Sequence, residues 1–130
     1  DCVAPSRLAR HGVIWQFAGS PEALEAFWTG ETEGLLRSGA ALEVERWNLN
    51  NAQFAHDPRP LLEVSSNLPA TLQGFSRASL RHYLKENEML GYRVLTLHNI
   101  SILNIITHHM RWAIRHGRFA ELARVFKIEL

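Results

Sequence analysis

The chain has 130 residues, of which 46% are hydrophobic and 21% are charged, a size and composition typical of one globular domain. Its single cysteine excludes an intrachain disulfide, and no apolar run reaches the roughly 20 residues of a membrane span. These features argue against disulfide-stabilised secreted proteins and membrane-spanning proteins, and they predict a cytoplasmic protein. The first residue is Asp rather than Met, so we expect a part of a longer protein.

Charge is distributed unevenly although the net charge is only +1. Residues 1–74 carry five Arg and nine acidic side chains, whereas residues 75–130 carry nine Lys or Arg, four acidic side chains and five of the seven His. This asymmetry indicates that the second half contacts a polyanion or an acidic partner. The alternative is that the basic residues only cover the outer faces of amphipathic helices.

Local signals in the first half predict alternating strands and helices. Ser20 followed by Pro21 is typical of a helix start, because the serine hydroxyl can cap the helix and proline suits its first position. Alternation of apolar and polar residues indicates a half-exposed strand. The predicted elements are a strand at 13–18, a helix through about residue 38, a strand at 41–49 and a short extended piece or turn at 50–55.

The second half is predicted to be mostly helical. Two prolines in 56–60 predict a loop, and 61–74 lacks periodicity. Ser76 can cap a helix that ends near Glu86, and an apolar-periodic helix follows from about Met89 to a Gly117 cap, before a short helix at 118–126. The periodicity predicts that one buried side of the long helix includes Val94, Leu97, Ile100, Ile105, His108, His109 and Trp112.

Several motifs, in a fixed order, resemble one enzyme family. The opening DCVAPSRLARHG (1–12) resembles the segment of tRNA-guanine transglycosylases that carries a nucleophilic aspartate and two anticodon-reading arginines. NNAQF (50–54) and DPRPL (57–61) are similar to the family's linking segments. The C-terminal motifs then follow in the family's order: FSRASLRH (75–82), EMLG (88–91), LTLHN (95–99) and AIRHGRF (113–119).

The resemblance implies an α/β fold, the C-terminal part of a TIM (β/α)8 barrel with a small inserted subdomain, in a chain that is itself mostly α with a few short strands. It implies four regions: a closing barrel strand with the catalytic loop at 1–18, a family-atypical insertion at 19–46, a degenerate zinc loop at 47–74 and C-terminal helices at 75–130. Ser79 stands where the family's dimer helix has tyrosine, which leaves a homodimer or a heterodimer open.

The activity that the resemblance implies is exchange of an anticodon guanine for queuine or a related 7-deazaguanine through a covalent aspartyl-ribose intermediate. Asp1 matches the catalytic nucleophile, and a carboxylate suits attack on an oxocarbenium-like sugar carbon. Without the surrounding motif, a solvated terminal residue would be the favoured interpretation of Asp1. Adjacent Cys2 is interpreted as a packing residue, because alternation along a strand directs it to the opposite side.

Arg7 and Arg10 match the two RNA-binding arginines of the family, which read bases beside the target guanine. Their spacing allows both guanidinium groups to project from one face of a loop. On composition, two solvated loop arginines are the alternative. His11 stands where the family usually has Asn, so we expect altered contacts there.

The zinc site of the family is predicted to be lost. Its cysteine positions fall on Asn67, Pro69 and Leu72, none of which supplies a thiolate. His98 is the only retained ligand position, and it is otherwise a core histidine bonded to nearby backbone. His108, His109 and His116 are also unsuited to a metal, because adjacent helical residues project about 100° apart. We therefore predict no cofactor.

The implied partners are tRNA or another nucleic acid, a 7-deazaguanine base and the missing N-terminal barrel, with no membrane. The family's base-recognition residues lie earlier in the barrel, so this segment is not expected to catalyse base exchange by itself. A non-catalytic partner subunit or an RNA-docking module of the same family is the alternative, and an unrelated helical interaction domain would require the ordered motifs to be coincidental.

Overall fold

The computed structural model describes residues 5–39, 41–62 and 74–127. Within these residues the chain is mostly helical with two short strands, as predicted. The elements are, in chain order, α1 (Pro5–Arg10), β1 (Val13–Ala18), α2 (Pro21–Thr29), α3 (Thr32–Arg37), β2 (Glu43–Asn48), a 3-10 turn (Ala52–Phe54), α4 (Arg77–Lys85), α5 (Met89–Arg115) and α6 (Phe119–Val125). None of the helices in this part of the chain has the length and apolar character that a membrane span requires.

The described residues divide into two compact units. The first comprises 5–16, 46–62 and 74–101, and the second comprises 17–39, 41–45 and 102–127. β1, β2 and α5 each contribute residues to both units. The first unit has a continuous apolar core of buried side chains: Ala9, Ile14, Leu49, Phe54, Leu61, Leu80, Leu84, Val94 and Leu95.

The helix predicted from Pro21 to about residue 38 is wrong in one respect, because the structure has two helices there. The predicted start is confirmed: the Ser20 hydroxyl accepts a hydrogen bond from the Ala23 N–H at 3.2 Å. Gly30 ends α2 in the left-handed conformation with φ of 78°, a backbone geometry that glycine adopts at little cost. The chain turns at this residue and α3 begins at Thr32.

β1 and β2 form a two-stranded sheet. The Leu49 N–H, directly after β2, donates to the Gly12 carbonyl, directly before β1, at 2.9 Å. A bond between the end of one strand and the start of the other indicates antiparallel pairing. β2 does not have the predicted alternation of burial, since five of its six residues are exposed and Trp47 is half-buried.

The buried face of α5 differs from the predicted one. Leu97 and Ile100 are 40% and 39% exposed, although the apolar period placed them in the core. His109 is buried as predicted, but His98 and Asn99, which the apolar period did not place on that side, are also fully buried. Hydrophobicity alone therefore does not define the buried face of this helix, because hydrogen-bonding partners on neighbouring elements make burial of these polar groups favourable.

The buried Asp57 carboxylate binds two arginines in the first unit. Arg59 donates to it through Nε at 2.9 Å and Nη2 at 2.8 Å, and Arg77 Nη1 lies 3.5 Å from Asp57 Oδ2. The hydrogen bonds from Arg59, together with the charge of Arg77, hold the pKa of Asp57 well below its usual range. The Arg77 guanidinium also lies 4.7 Å from the centre of the Trp47 ring. This cluster connects the loop at 56–60 to the start of α4.

The two arginines differ in burial, with side-chain exposures of 58% for Arg59 and 6% for Arg77. We expect Arg77→Met to lower the free energy of unfolding by roughly 3 kcal/mol, because it leaves a buried carboxylate with one partner fewer and removes the contact with Trp47. The matched variant Arg59→Met should cost less, about 1 kcal/mol, since the Arg59 side chain is mostly exposed and solvent screens its charge.

Urea denaturation of both variants measures this difference. Distance favours the opposite order, because the Arg59 contacts are shorter. A larger loss for Arg59→Met would therefore show that burial does not determine the strength of this cluster.

Candidate functional site

The two arginines predicted to bind RNA lie on α1. Arg7 and Arg10 both occupy the last turn of this six-residue helix, and both are exposed. The prediction that they lie in a loop is wrong, but their common direction is retained, since residues three apart are neighbours on a helix surface. Leu8 and Ala9 between them are buried and attach α1 to the first unit. The helix is thus attached to the unit by its buried residues and exposes two guanidinium groups to solvent.

The turn after α1 is held by residues that follow β2. Gly12 has φ of 73°, and a Cβ atom added to it would lie 2.6 Å from Asn50 Nδ2. The same Asn50 Nδ2 donates to the His11 carbonyl at 3.3 Å. The Asn50 N–H in turn donates to Asn48 Oδ1 at 3.0 Å. The left-handed φ favours glycine at position 12, and the Asn50 amide holds the chain immediately after Arg10.

Side chains of α5 bind the backbone of β1. Asn99 Oδ1 accepts from the Trp15 N–H at 3.1 Å, and Asn99 Nδ2 donates to the Val13 carbonyl at 3.3 Å. Nε2 of His98 donates to the Trp15 carbonyl at 2.8 Å. These are the kinds of hydrogen bonds that a neighbouring strand makes, so the two side chains bind strand backbone groups as a partner strand does.

Burial determines the protonation state of His98. The ring is fully buried, and this lowers the pKa of His98 to about 4, while the hydrogen bond to Trp15 opposes the shift. The histidine is therefore neutral at physiological pH and serves as a hydrogen-bond donor to the strand. The burial and the hydrogen bond agree with the interpretation of His98 as a core histidine bonded to nearby backbone.

His108 and His109 both bind the segment between α2 and α3. His109 Nε2 donates to the Phe27 carbonyl at 2.9 Å, and its Nδ1 lies 2.8 Å from the Thr32 hydroxyl. His108 Nε2 donates to the Gly30 carbonyl at 2.8 Å. Burial lowers the pKa of His109, which favours the neutral ring that this arrangement requires. These contacts attach the region predicted as an insertion to α5.

The second unit also contains a cavity of about 200 Å³. It is lined by apolar side chains, and no titratable group contributes to its wall. Such a cavity offers neither a nucleophile nor a proton donor. The side chains that form it are Phe17, Val44, Ile106, Met110, Phe119, Leu122, Ala123 and Phe126.

Other predicted site residues lie outside the described residues. These are the nucleophile Asp1, its neighbour Cys2 and the former cysteine positions Asn67, Pro69 and Leu72. Among the residues that are described, no three His, Cys, Asp or Glu side chains come close enough to hold a metal ion. The arginine pair, the Gly12 turn and the His98–Asn99 pair all belong to the first unit.

Two residues in this unit were not recognised from the sequence as parts of the site, Asn50 and Asn99. Both lie in motifs that carry the family resemblance, NNAQF and LTLHN. A buried asparagine in an apolar helix is a signal that could have identified Asn99, because buried amides require hydrogen-bonding partners. Asn50 offers no such signal, since its partner is a backbone carbonyl 39 residues earlier.

Comparison with known proteins identifies the family. Residues 1–129 match the family described as Queuine tRNA-ribosyltransferase. Proteins of this name from Cyanothece sp. and Caulobacter vibrioides are 38% identical over 120 residues and 36% identical over 126 residues. These alignments cover 92% and 97% of this chain, but 24% and 26% of the relatives. A relative from Dictyoglomus turgidum is 33% identical over 129 residues, covering 99% of this chain and 26% of its own length.

In the first unit, polar side chains of a long helix thus hold a strand that directly follows a short arginine-bearing helix. The chain belongs to the queuine tRNA-ribosyltransferase family. It spans about a quarter of the length of the curated relatives it matches.

We expect protein stability to depend on pH through His98. The unfolded chain takes up a proton near the ordinary pKa of 6.5, whereas folded His98 resists protonation until about pH 4. The unfolded state therefore binds more protons than the folded state in this window. The contribution of His98 to stability is constant above pH 7 and falls by at most about 3 kcal/mol as pH decreases from 6.5 to 4.

Denaturation between pH 8 and pH 4 in the presence of a chelator measures this effect. His98→Gln keeps a donor for Trp15 but does not titrate, so its profile should be flatter, and it should be less stable than the wild type at pH 8. Exposed His56→Gln serves as the control and should retain the wild-type profile. Equal slopes for His98→Gln and the wild type would contradict the assignment.

Proposed function

We propose that this chain supplies the nucleophile and the anticodon-reading arginines of an enzyme that exchanges a guanine in tRNA for queuine or a related 7-deazaguanine. The observation that carries the proposal is the family match over residues 1–129, which includes the opening motif. The exposed arginine pair on an anchored helix supports it, because such a pair is suited to contact with RNA. The relatives' shared name supports both the transferase class and the tRNA substrate.

In the proposed reaction, a carboxylate oxygen of Asp1 attacks the ribose C1′ and the bond between C1′ and guanine breaks. The guanine leaves with the bonding electron pair and takes up a proton. An incoming 7-deazaguanine then attacks C1′, loses its proton and displaces the carboxylate. A covalent aspartyl-ribose intermediate divides one difficult substitution into two easier ones.

Arg7 and Arg10 bind the RNA beside the target nucleotide in this proposal. Single-stranded RNA is recognised at unstacked bases and phosphates, for which guanidinium groups are well suited. Asn50 and Gly12 position the arginines, since they fix the turn that follows Arg10. Asn99 and His98 hold the strand that continues from this turn.

We further propose that this segment functions without zinc. A structural zinc requires about four strong ligands, and the residues Asn67, Pro69 and Leu72 provide no thiolate. The donor set therefore does not fit the family's metal, and the buried His98 ring binds the Trp15 carbonyl. In this proposal the polar contacts of His98 and Asn99 hold β1 without a metal.

Catalysis in this proposal requires the barrel residues that recognise the base, which belong to the roughly three quarters of the relatives' length that this chain does not match. The chain would then act as the C-terminal part of the (β/α)8 barrel. A second candidate is a non-catalytic partner subunit that binds RNA within a heterodimer. The absence of cysteines from the zinc-ligand positions favours it, whereas the presence of Asp1, Arg7 and Arg10 together favours the enzyme.

Covalent trapping tests the proposed nucleophile. In the longest protein that carries this segment, Asp1→Ala should abolish the denaturant-resistant adduct with tRNA, because no carboxylate remains to attack C1′. Gel mobility under denaturing conditions measures the adduct. Glu43→Ala, which removes an exposed carboxylate, should leave trapping unchanged. Persistent trapping by Asp1→Ala would rule out this residue as the nucleophile.

Elemental analysis tests the proposed loss of zinc. The purified protein should contain far less than one zinc per chain. A triple variant, Asn67→Cys, Pro69→Cys and Leu72→Cys, should restore one zinc per chain by recreating the thiolate ligands around His98. Adding His98→Ala to the triple variant should weaken that binding. One tightly bound zinc in the unmodified protein would contradict the proposal.

A further inference from the structure

We propose that the carboxyl-terminal end of α5 carries a second RNA-docking surface, formed by Arg111, Trp112, Arg115, His116 and Arg118. It binds backbone phosphates of tRNA and stacks one unpaired base. This surface belongs to the second unit and is separate in sequence from Arg7 and Arg10. The inference rests on the proposed function in one respect, that the ligand is tRNA.

Arg111 and Arg115 provide the positive charge of the surface. Both are exposed, and neither forms an ion pair with any residue in the described part of the chain. They are four residues apart, so they lie on one face of the helix at a separation of about 6 Å along its axis. Like charges at this spacing destabilise a helix. An anionic ligand between or beside them offsets that repulsion.

The helix dipole explains only one of the two arginines. A cation in the last turn of a helix is stabilised by the partial negative charge there, and Arg115 is the last residue of α5. Arg111 lies one turn earlier, where this effect has decayed. The dipole therefore does not account for its charge, which the proposed surface uses to bind a polyanion.

An aromatic pair forms the flat part of the surface. The His116 ring stacks on the Trp112 ring with centroids 4.0 Å apart and planes inclined by 15°. His116 Nδ1 also donates to the Trp112 carbonyl at 2.8 Å. Trp112 is half-buried and His116 is exposed, so one face of the imidazole is supported by Trp112. A base can stack on a ring fixed in this way at little entropic cost, as in other single-stranded RNA sites.

Arg118 completes the surface mainly by its position. Its guanidinium carbon lies 5.6 Å from the centre of the Trp112 ring. Its Nε and Nη2 donate to Glu121 Oε2 at 3.0 and 2.8 Å, and Glu33 is a second acidic group that acts on it. Because Glu121 offsets its charge, Arg118 supports the tryptophan, and phosphate binding depends on Arg111 and Arg115.

RNA explains this combination better than an acidic protein does. Clustered arginines suit either ligand. An exposed imidazole supported on one face also offers a surface on which a base can stack, and an acidic protein has no base to place there. The strongly basic balance of residues 75–130 points in the same direction.

The experiment measures tRNA binding at several salt concentrations, using the longest protein that carries this segment. The double variant Arg111→Gln/Arg115→Gln should reduce the slope of log affinity against log salt by roughly 1.4 to 1.8, which corresponds to two lost phosphate contacts. The wild type's advantage in affinity should then grow roughly 25- to 60-fold for each tenfold decrease in salt.

A matched control is Arg46→Gln/Arg93→Gln, which removes the same charge from exposed positions elsewhere. It should retain the wild-type slope to within experimental error. His116→Ala should weaken binding roughly 5- to 100-fold, and His116→Tyr should recover most of that loss, because tyrosine retains an aromatic face. Circular dichroism melting checks that all variants remain folded, which their surface positions favour.

The outcomes separate this inference from the proposed function. If the wild type binds tRNA and the double variant matches the control in affinity and slope, the docking surface is overturned while the proposed function stands. If the wild type neither binds tRNA nor forms the Asp1 adduct, the proposed function itself fails. Adduct formation by the double variant at saturating tRNA should reach the wild-type extent, since the surface takes part in binding and not in the chemical step.

Discussion

The hydrogen bonds between the side chains of α5 and the backbone of β1 are the constraint on which the first unit depends. Asn99 binds both the Trp15 N–H and the Val13 carbonyl, and His98 binds the Trp15 carbonyl. Strand backbone groups that are not paired and not solvated are costly, so these bonds determine where β1 can lie on the helix. β1 in turn follows the turn at Gly12, and this turn follows the arginine-bearing α1. The position of the site is therefore connected to two buried polar residues of a helix.

A similar use of buried imidazole occurs in the second unit. His109 donates from Nε2 to the Phe27 carbonyl, and its Nδ1 accepts a hydrogen bond from the Thr32 hydroxyl. The ring also stacks on Phe27. A neutral ring can satisfy both partners, and burial favours that neutral form. Histidine is a residue type that often binds metals, but here the imidazole rings of α5 donate hydrogen bonds to backbone carbonyls of other elements. This provides a physical alternative to metal binding for holding short helices against a long one.

The proposed loss of zinc fits with this way of stabilising the fold. Metal ligands stabilise a small subdomain by fixing several side chains at one point. In this chain the contacts of Asp57, Arg59 and Arg77 fix the loop at 56–60 against α4 through charge and hydrogen bonds. Together with the α5 contacts, they give the described part of the first unit a polar framework around its apolar core.

Much of the secondary structure could be predicted from the sequence because its signals are local. Ser20 and Ser76 cap helices as expected, β1 begins and ends at the predicted residues, and α5 has the predicted length to within a few residues. The ordered motifs also sufficed to predict the family, which the comparisons confirm. Within the candidate site, the resemblance to the family identified Arg7, Arg10 and His98 as residues of interest, because they lie at matching positions of its motifs.

Tertiary structure decided which side chains are buried and what they bind. Apolar periodicity placed Leu97 and Ile100 in the core, but they are 40% and 39% exposed, whereas His98 and Asn99, which it did not place there, are buried. Periodicity records only hydrophobicity, and a polar group can be buried once a partner from a distant part of the chain satisfies it. Asn50 contacts His11 across 39 residues, and Asn99 contacts Val13 across 86. Such pairings arise only when the chain is folded, so local sequence could name the candidates but could not show how they are held.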